Sequence, residues 1–209
     1  NISGSKSWVG VPEGTEKPSV KIELYRNNVK TDEQDLKADG TYSFTNLEKY
    51  DANGVEYVYT VKEVMNGANT DRFTSEQDGN DFINTYSEKT SISGNKTWVG
   101  VPEGTEKPSV KIELYRNNVK TDEQDLKADG TYSFENLEKY DENGVEYVYT
   151  VKEKMSGENA GNFTGTWKKT EKGTDFTNTY SEQINISGSK SWVGVPEGTE
   201  KPSVKIELY

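Results

Sequence analysis

The sequence predicts an all-β chain of tandem sandwich domains, with about seven strands in each. Three observations carry this prediction: an internal repeat of about 90 residues, apolar residues recurring with period two, and turn residues between the runs. Trp8–Phe44 recurs unchanged as Trp98–Phe134, and Asn185–Tyr209 restates Asn1–Tyr25. The second repeat opens with ISGNKTW where the other two open with ISGSKSW. The chain thus divides into 1–88, a repeat of a first kind, and 91–182, a repeat of a second kind. Residues 185–209 are the first two strands of a third, incomplete repeat that returns to the first kind. An excerpt from a longer, alternating array is the expectation.

Within the first repeat the elements follow in order. A strand over 2–9 carries Ile2, Gly4, Lys6 and Trp8 on one face. Val20, Ile22 and Leu24 alternate with Lys21 and Glu23, as a half-buried strand over 19–26 should. Asn27-Asn28 turns the chain into a strand over 30–37, and Asp39-Gly40 into one over 41–47. Asn53-Gly54 precedes 55–63, whose Tyr57–Val61 is aromatic and β-branched. Strands over 71–76 and 80–86 close the domain. Seven short strands with a turn every 8–12 residues read as an Ig-like β-sandwich. The joints are about five residues long, at 87–91 and 181–185, and predict a semi-rigid array.

Composition narrows the function. Hydrophobic residues make up 30% of the chain and the formal net charge is −11, a balance that leans towards disorder, but 11% aromatic residues at alternating positions argue against it. The chain has no Cys and no His, which removes disulfides, thiolate metal sites and the commonest general base. No metal site and no cofactor are expected. The acidity disfavours nucleic acid as a partner, and its plainer reading is that it keeps a long chain soluble. No apolar run approaches a membrane span, and no signal peptide stands in these residues.

A core so poor in apolar side chains, without disulfide or metal, predicts marginal stability. Lys6, Glu63 and Asn84 bear on this. Lys6 shares its face with the apolar residues of the first strand, and lysine is rarely buried unless paired. Glu63 shares parity with Val61 and Tyr59, and Asn84 with Phe82 and Tyr86. One lysine, one glutamate and one asparagine therefore face a single aromatic core. The second repeat restates them as Lys96, Glu153 and Asn178, with the Glu-to-Asn spacing growing from 21 to 25 residues inside a loop. On parity alone, an ordinary salt bridge beside a satisfied asparagine is the plainer reading.

The ordered set ISGSKSW, YSFTNLEKYD, EYVYTVKE and FINTY resembles the Cna B-type domains of Gram-positive collagen adhesins and pilins. ISGNKTW, YSFENLEKYD, EYVYTVKE and FTNTY restate it in the second repeat. The resemblance covers essentially the whole chain. It implies an intramolecular isopeptide bond between Lys6 and Asn84 assisted by Glu63, and one between Lys96 and Asn178 assisted by Glu153. Lys190 matches the donor of the third repeat, but its Glu and Asn partners are not among these residues. Burial disfavours charge, and a neutral amine is a nucleophile where an ammonium is not. A protonated Glu can polarise the Asn carbonyl and then shuttle the proton that lets ammonia leave. Folding supplies the proximity. This is a single-turnover self-modification and not an enzyme acting on substrates.

Weaker signals remain. Asp51-Ala52-Asn53-Gly54 echoes part of a calcium loop but lacks its other ligands, so a hairpin turn is expected. Asn95-Lys96-Thr97 fits a glycosylation sequon that lies beside a core lysine. Trp167 has no counterpart in the first repeat and is expected to pack on its own domain. The resemblance implies a secreted protein, attached to the cell surface or cell wall, in which these repeats are a structural stalk or fibre. The alternative is an adhesin module binding a host or matrix protein. The expected partners are neighbouring repeats, with another chain possible at Lys190.

Overall fold

Asn27 and Asn28 both take left-handed backbone angles, φ 49° and 66°, and this pair forms the tight turn that starts the first hairpin. The computed structural model describes residues 1–209. The first repeat contains β1 (Ile2–Val9), β2 (Ser19–Arg26), β3 (Val29–Asp35), β4 (Thr41–Phe44), β5 (Tyr59–Asn66), β6 (Phe73–Asp78) and β7 (Asp81–Tyr86). The second contains β8 (Lys89–Val99), β9 (Ser109–Arg116), β10 (Val119–Asp125), β11 (Thr131–Glu138), β12 (Tyr149–Ser156), β13 (Phe163–Lys169) and β14 (Thr174–Tyr180). Each repeat is a sandwich of two sheets. The orders are β4-β1-β7-β6 over β3-β2-β5, and β11-β8-β14-β13 over β10-β9-β12. No helix is long and apolar enough to cross a membrane.

The alternating residues do what their parity predicts. Val20, Ile22 and Leu24 of β2 meet Tyr42 and Phe44 of β4, Val61 of β5 and Phe82 of β7 in one core, which the second repeat restates from Val110 to Phe176. Gly4 is required because a Cβ there would lie 2.1 Å from the Asn80 carbonyl oxygen and 2.7 Å from the Tyr42 hydroxyl. The first and last strands of each repeat, β1 with β7 and β8 with β14, pair in parallel, whereas every other pairing is antiparallel.

Several boundaries differ from expectation. The third, fourth and sixth strands run over Val29–Asp35, Thr41–Phe44 and Phe73–Asp78 and not 30–37, 41–47 and 71–76. Two further differences have a clear cause. The fifth strand runs over 59–66 and not 55–63. Asp51 accepts hydrogen bonds from the Asn53 and Val55 amides, both 2.8 Å, and the Asn27 side chain captures the Val58 amide at 2.9 Å, so local turn bonds claim 51–58. The same bonds make the calcium-like tetrad a turn. The joint is also shorter, since β8 already begins at Lys89 and pairs Lys89 and Thr90 with Glu138 and Leu137, leaving only Ser87 and Glu88 outside strands.

That joint is held by charge. Glu88 accepts from Arg72 at 2.8 Å, Lys139 at 3.1 Å and the Tyr86 hydroxyl at 3.0 Å, and Lys89 pairs with Glu138. The Lys139 amide donates to the Glu88 carbonyl and the Gly10 amide to the Glu142 carbonyl, both 2.8 Å. Tyr86 and Tyr140 meet edge to face at 6.0 Å. After the second repeat the positions of Arg72 and Lys89 are Asn162 and Gln183. Replacing Glu88 by Gln should therefore broaden the distance distribution between spin labels on the two repeats. Neither repeat's own stability should move by more than about 0.5 kcal/mol. An unchanged distribution would show that the backbone bonds alone fix the joint.

Residues 185–209 carry no strand, contrary to the two strands expected there. The reason is pairing. In the complete repeats β1 bonds to β4 and β7, and β2 to β3 and β5, all of which lie later in the sequence than the stretch these 25 residues restate. A strand without a neighbour leaves its backbone groups to water.

Candidate functional site

Strand pairing brings the three sequence-predicted residues together. β1 and β7 lie side by side with Lys6 opposite Phe82 and Trp8 opposite Asn84, so Lys6 and Asn84 share a face two rungs apart. The Lys6 side chain bends along β1 towards that second rung. Its amine sits 3.8 Å from the Trp8 ring centroid and donates to the Ser7 carbonyl at 2.6 Å. Glu63 reaches in from the facing sheet, on β5 opposite Ile22, and its Oε1 lies 3.7 Å from the Lys6 amine. The Lys6 side chain is fully buried, Asn84 is 0% exposed, and the Glu63 side chain is 3% exposed.

The second repeat reproduces this arrangement. Lys96 lies 3.9 Å from the Trp98 centroid and 3.4 Å from Glu153 Oε1, and Asn178 is fully buried. Lys190, without strand partners, is exposed but still donates to the Ser191 carbonyl at 2.8 Å and sits 4.3 Å from the Trp192 ring. The bend of the lysine over the tryptophan is therefore encoded locally in Lys-x-Trp.

Burial sets the electrostatics. Desolvation pulls the Lys6 amine down to about 8, partly opposed by Glu63. It lowers Lys96 for the same reason. Across the chain, four buried side-chain polar atoms lack a hydrogen-bond partner: Glu63 Oε1, Asn84 Oδ1, Glu153 Oε1 and Asn178 Oδ1. Such atoms are rare and costly, at about 1–3 kcal/mol each. All four belong to the two trios.

Sequence reasoning missed two neighbours. The Asn84 amide points its nitrogen at Met65 Sδ, 2.8 Å away, as Asn178 does at Met155, 2.7 Å away. Met65 shares parity with Glu63, so the signal was present. Ser75, opposite Asn84 on β6, donates to Glu63 Oε2 at 2.6 Å. Trp167 does not pack on its domain. It stands 70% exposed beside a groove of about 930 Å³ that also touches Glu153, Gly165 and Phe176.

A collagen adhesin of Staphylococcus aureus is 33% identical over 186 residues, which is 79% of this chain and 15% of that protein, so the chain spans a small part of that relative. Among solved structures, a single B repeat unit of the collagen-binding surface protein of S. aureus is 24% identical. Its TM-score is 0.39, with 87% of this chain and 98% of that chain covered. A shaft pilin, SpaA, from Lactobacillus rhamnosus GG is 12% identical, with a TM-score of 0.33 and coverage of 88% and 98%. The Cna protein B-type domain family matches residues 2–85 and again 92–179, and the chain belongs to that family, with two of its domains in tandem.

Proposed function

We propose that these repeats form the structural stalk of a cell-surface protein, and that each complete repeat locks itself with a Lys–Asn isopeptide bond. The observation that supports this best is the set of unpartnered buried atoms. A buried amine, a carboxylate oxygen and an amide oxygen share one apolar pocket, and the two oxygens have no donor. A proton on the Glu63 carboxyl supplies the missing donor, and moving it there from the Lys6 ammonium leaves both groups neutral in a site that disfavours charge.

The reaction balances without any other reagent. The neutral Lys6 Nζ attacks Asn84 Cγ while the Glu63 carboxyl donates to Oδ1 and stabilises the developing oxyanion. The Nζ–Cγ bond forms, Glu63 carries a proton from Nζ to the departing nitrogen, and the Cγ–Nδ2 bond breaks to release ammonia. Glu63 ends as it began. Lys96, Glu153 and Asn178 perform the same steps in the second repeat.

The bond joins residues 78 positions apart in the first repeat and 82 in the second. Chain-entropy reasoning gives each such loop about 4–5 kcal/mol. This supplies the stability that the sparse core withholds, as a secreted, wall-attached stalk requires. Intact-mass measurement tests the proposal: the chain should weigh less than its sequence by two ammonia molecules. A chain of full mass refutes it.

A further inference from the structure

The two trios are alike, but the residues behind the glutamates are not. In the first repeat Ser75 occupies the rung opposite Asn84 and donates to Glu63 Oε2 at 2.6 Å. Two residues on, Gln77 donates to the Val61 carbonyl at 3.3 Å and ties β6 to β5 across the gap between the sheets. In the second repeat the same rungs carry Gly165, opposite Asn178, and Trp167, opposite Phe176. Neither of these cross-sheet bonds has a counterpart there. The groove beside Trp167 reaches Glu153, whose side chain is 8% exposed against 3% for Glu63. A Cβ built on Gly165 would lie 3.0 Å from Asn178 Oδ1 and 3.5 Å from Glu153 Oε2. A side chain at this position therefore stands against both the carboxylate and the amide that reacts.

From this we infer that Ser75 is a positioning residue for crosslinking in the first repeat, and that the second repeat, with Gly165 in its place, crosslinks more slowly. The inference rests on the isopeptide reading and concerns its rate. By holding Oε2, the hydroxyl restrains the carboxyl in the rotamer whose Oε1 faces the Lys6 amine, a rotamer that Glu153 also takes, 3.4 Å from Lys96, without that restraint. It can donate to the carboxylate and accept from the carboxylic acid, so it serves Glu63 before and after the proton moves. Glu153 has no such partner, and water entering the groove would compete for its Oε2, since Oε1 is buried. The bonds made and broken are the same in both repeats: Nζ–Cγ forms, Cγ–Nδ2 breaks, and ammonia carries away the proton from Nζ.

The test times both reactions within one chain. The 209-residue protein is made by cell-free translation and quenched in acid at intervals. Proteolysis then gives two crosslinked peptides, one holding Lys6 with Asn84 and one holding Lys96 with Asn178, and mass spectrometry counts each. The first should appear about three- to tenfold sooner, the worth of one hydrogen bond to a neutral carboxyl. Ser75→Ala should slow it by that factor without altering the second, and Ser75→Thr, which keeps the hydroxyl, should restore it. Gly165→Ser should speed the second, which keeps the inference testable if Ser75→Ala does not fold. Equal rates in the unaltered chain, or rates indifferent to these substitutions, overturn the role of Ser75 and leave the crosslink standing. Absence of both crosslinked peptides at every time overturns the crosslink and this inference with it.

Discussion

Replacing Asn84 and Asn178 together by alanine should yield a chain of full sequence mass that melts on the order of 20 °C lower than the unaltered protein. The figure follows from losing about 4–5 kcal/mol of loop constraint in each repeat, with each kcal/mol worth about 4–8 °C in a domain of this size. Calorimetry and the time course of proteolysis would measure it, and an unchanged melting temperature would remove the stabilising role. The variant should also acquire a pH dependence that a crosslinked chain would lack, because its Lys6 amine survives. In the folded state that amine titrates at about 8, lowered from 10.5 by burial. Between these values the unfolded chain binds the extra proton, so stability rises with pH through that window and is lowest below it. Lys96 acts in the same direction. A flat profile from pH 8 to about 10.5 would contradict the burial of the free amine.

Glu63→Ala should abolish the crosslink in the first repeat and leave that of the second intact, a deficit of one ammonia instead of two. Its cost should exceed that of Asn84→Ala. The Lys6 amine stays in place, fully buried, with its 3.7 Å carboxylate neighbour gone. Breaking a buried pair in this way typically costs about 3–5 kcal/mol beyond the lost constraint. Glu63→Gln keeps the shape and separates the two effects, because it too should prevent the bond while packing normally. A two-ammonia deficit in either variant would show that Glu63 does not assist.

The trio was legible because strand parity is a strict code: Lys6, Glu63 and Asn84 each share a face with aromatic or aliphatic neighbours, and the structure places all three in one pocket. Met65 obeyed the same code and could have been read from its spacing to Glu63. Ser75 could not, because its role depends on which strands become neighbours and on a hydrogen bond across the sandwich. The strand expected at 55–63 slid because period and propensity do not register side-chain bonds such as those of Asp51 and Asn27, which hold 51–58 in turns. Residues 185–209 show the limit of local sequence. Identical to Asn1–Tyr25, they keep the bend of lysine over tryptophan but not the strands, since strands are a property of pairs.

The parallel pairing of β1 with β7 also decides how a repeat meets tension. The chain enters at one end of this pair and leaves at the other, so a pull on the two termini slides the strands past each other. The rungs Lys6–Phe82, Ser7–Ile83, Trp8–Asn84 and Val9–Thr85 are then loaded together in shear and do not open one after another like a zip. If they yield, the residues from 6 to 84 become slack, about 260 Å of extended chain. The proposed covalent tie between Lys6 and Asn84 would lie across that same plane of slip and would withhold that length. A locked repeat would therefore behave as an inextensible link and an unlocked one as a shock absorber.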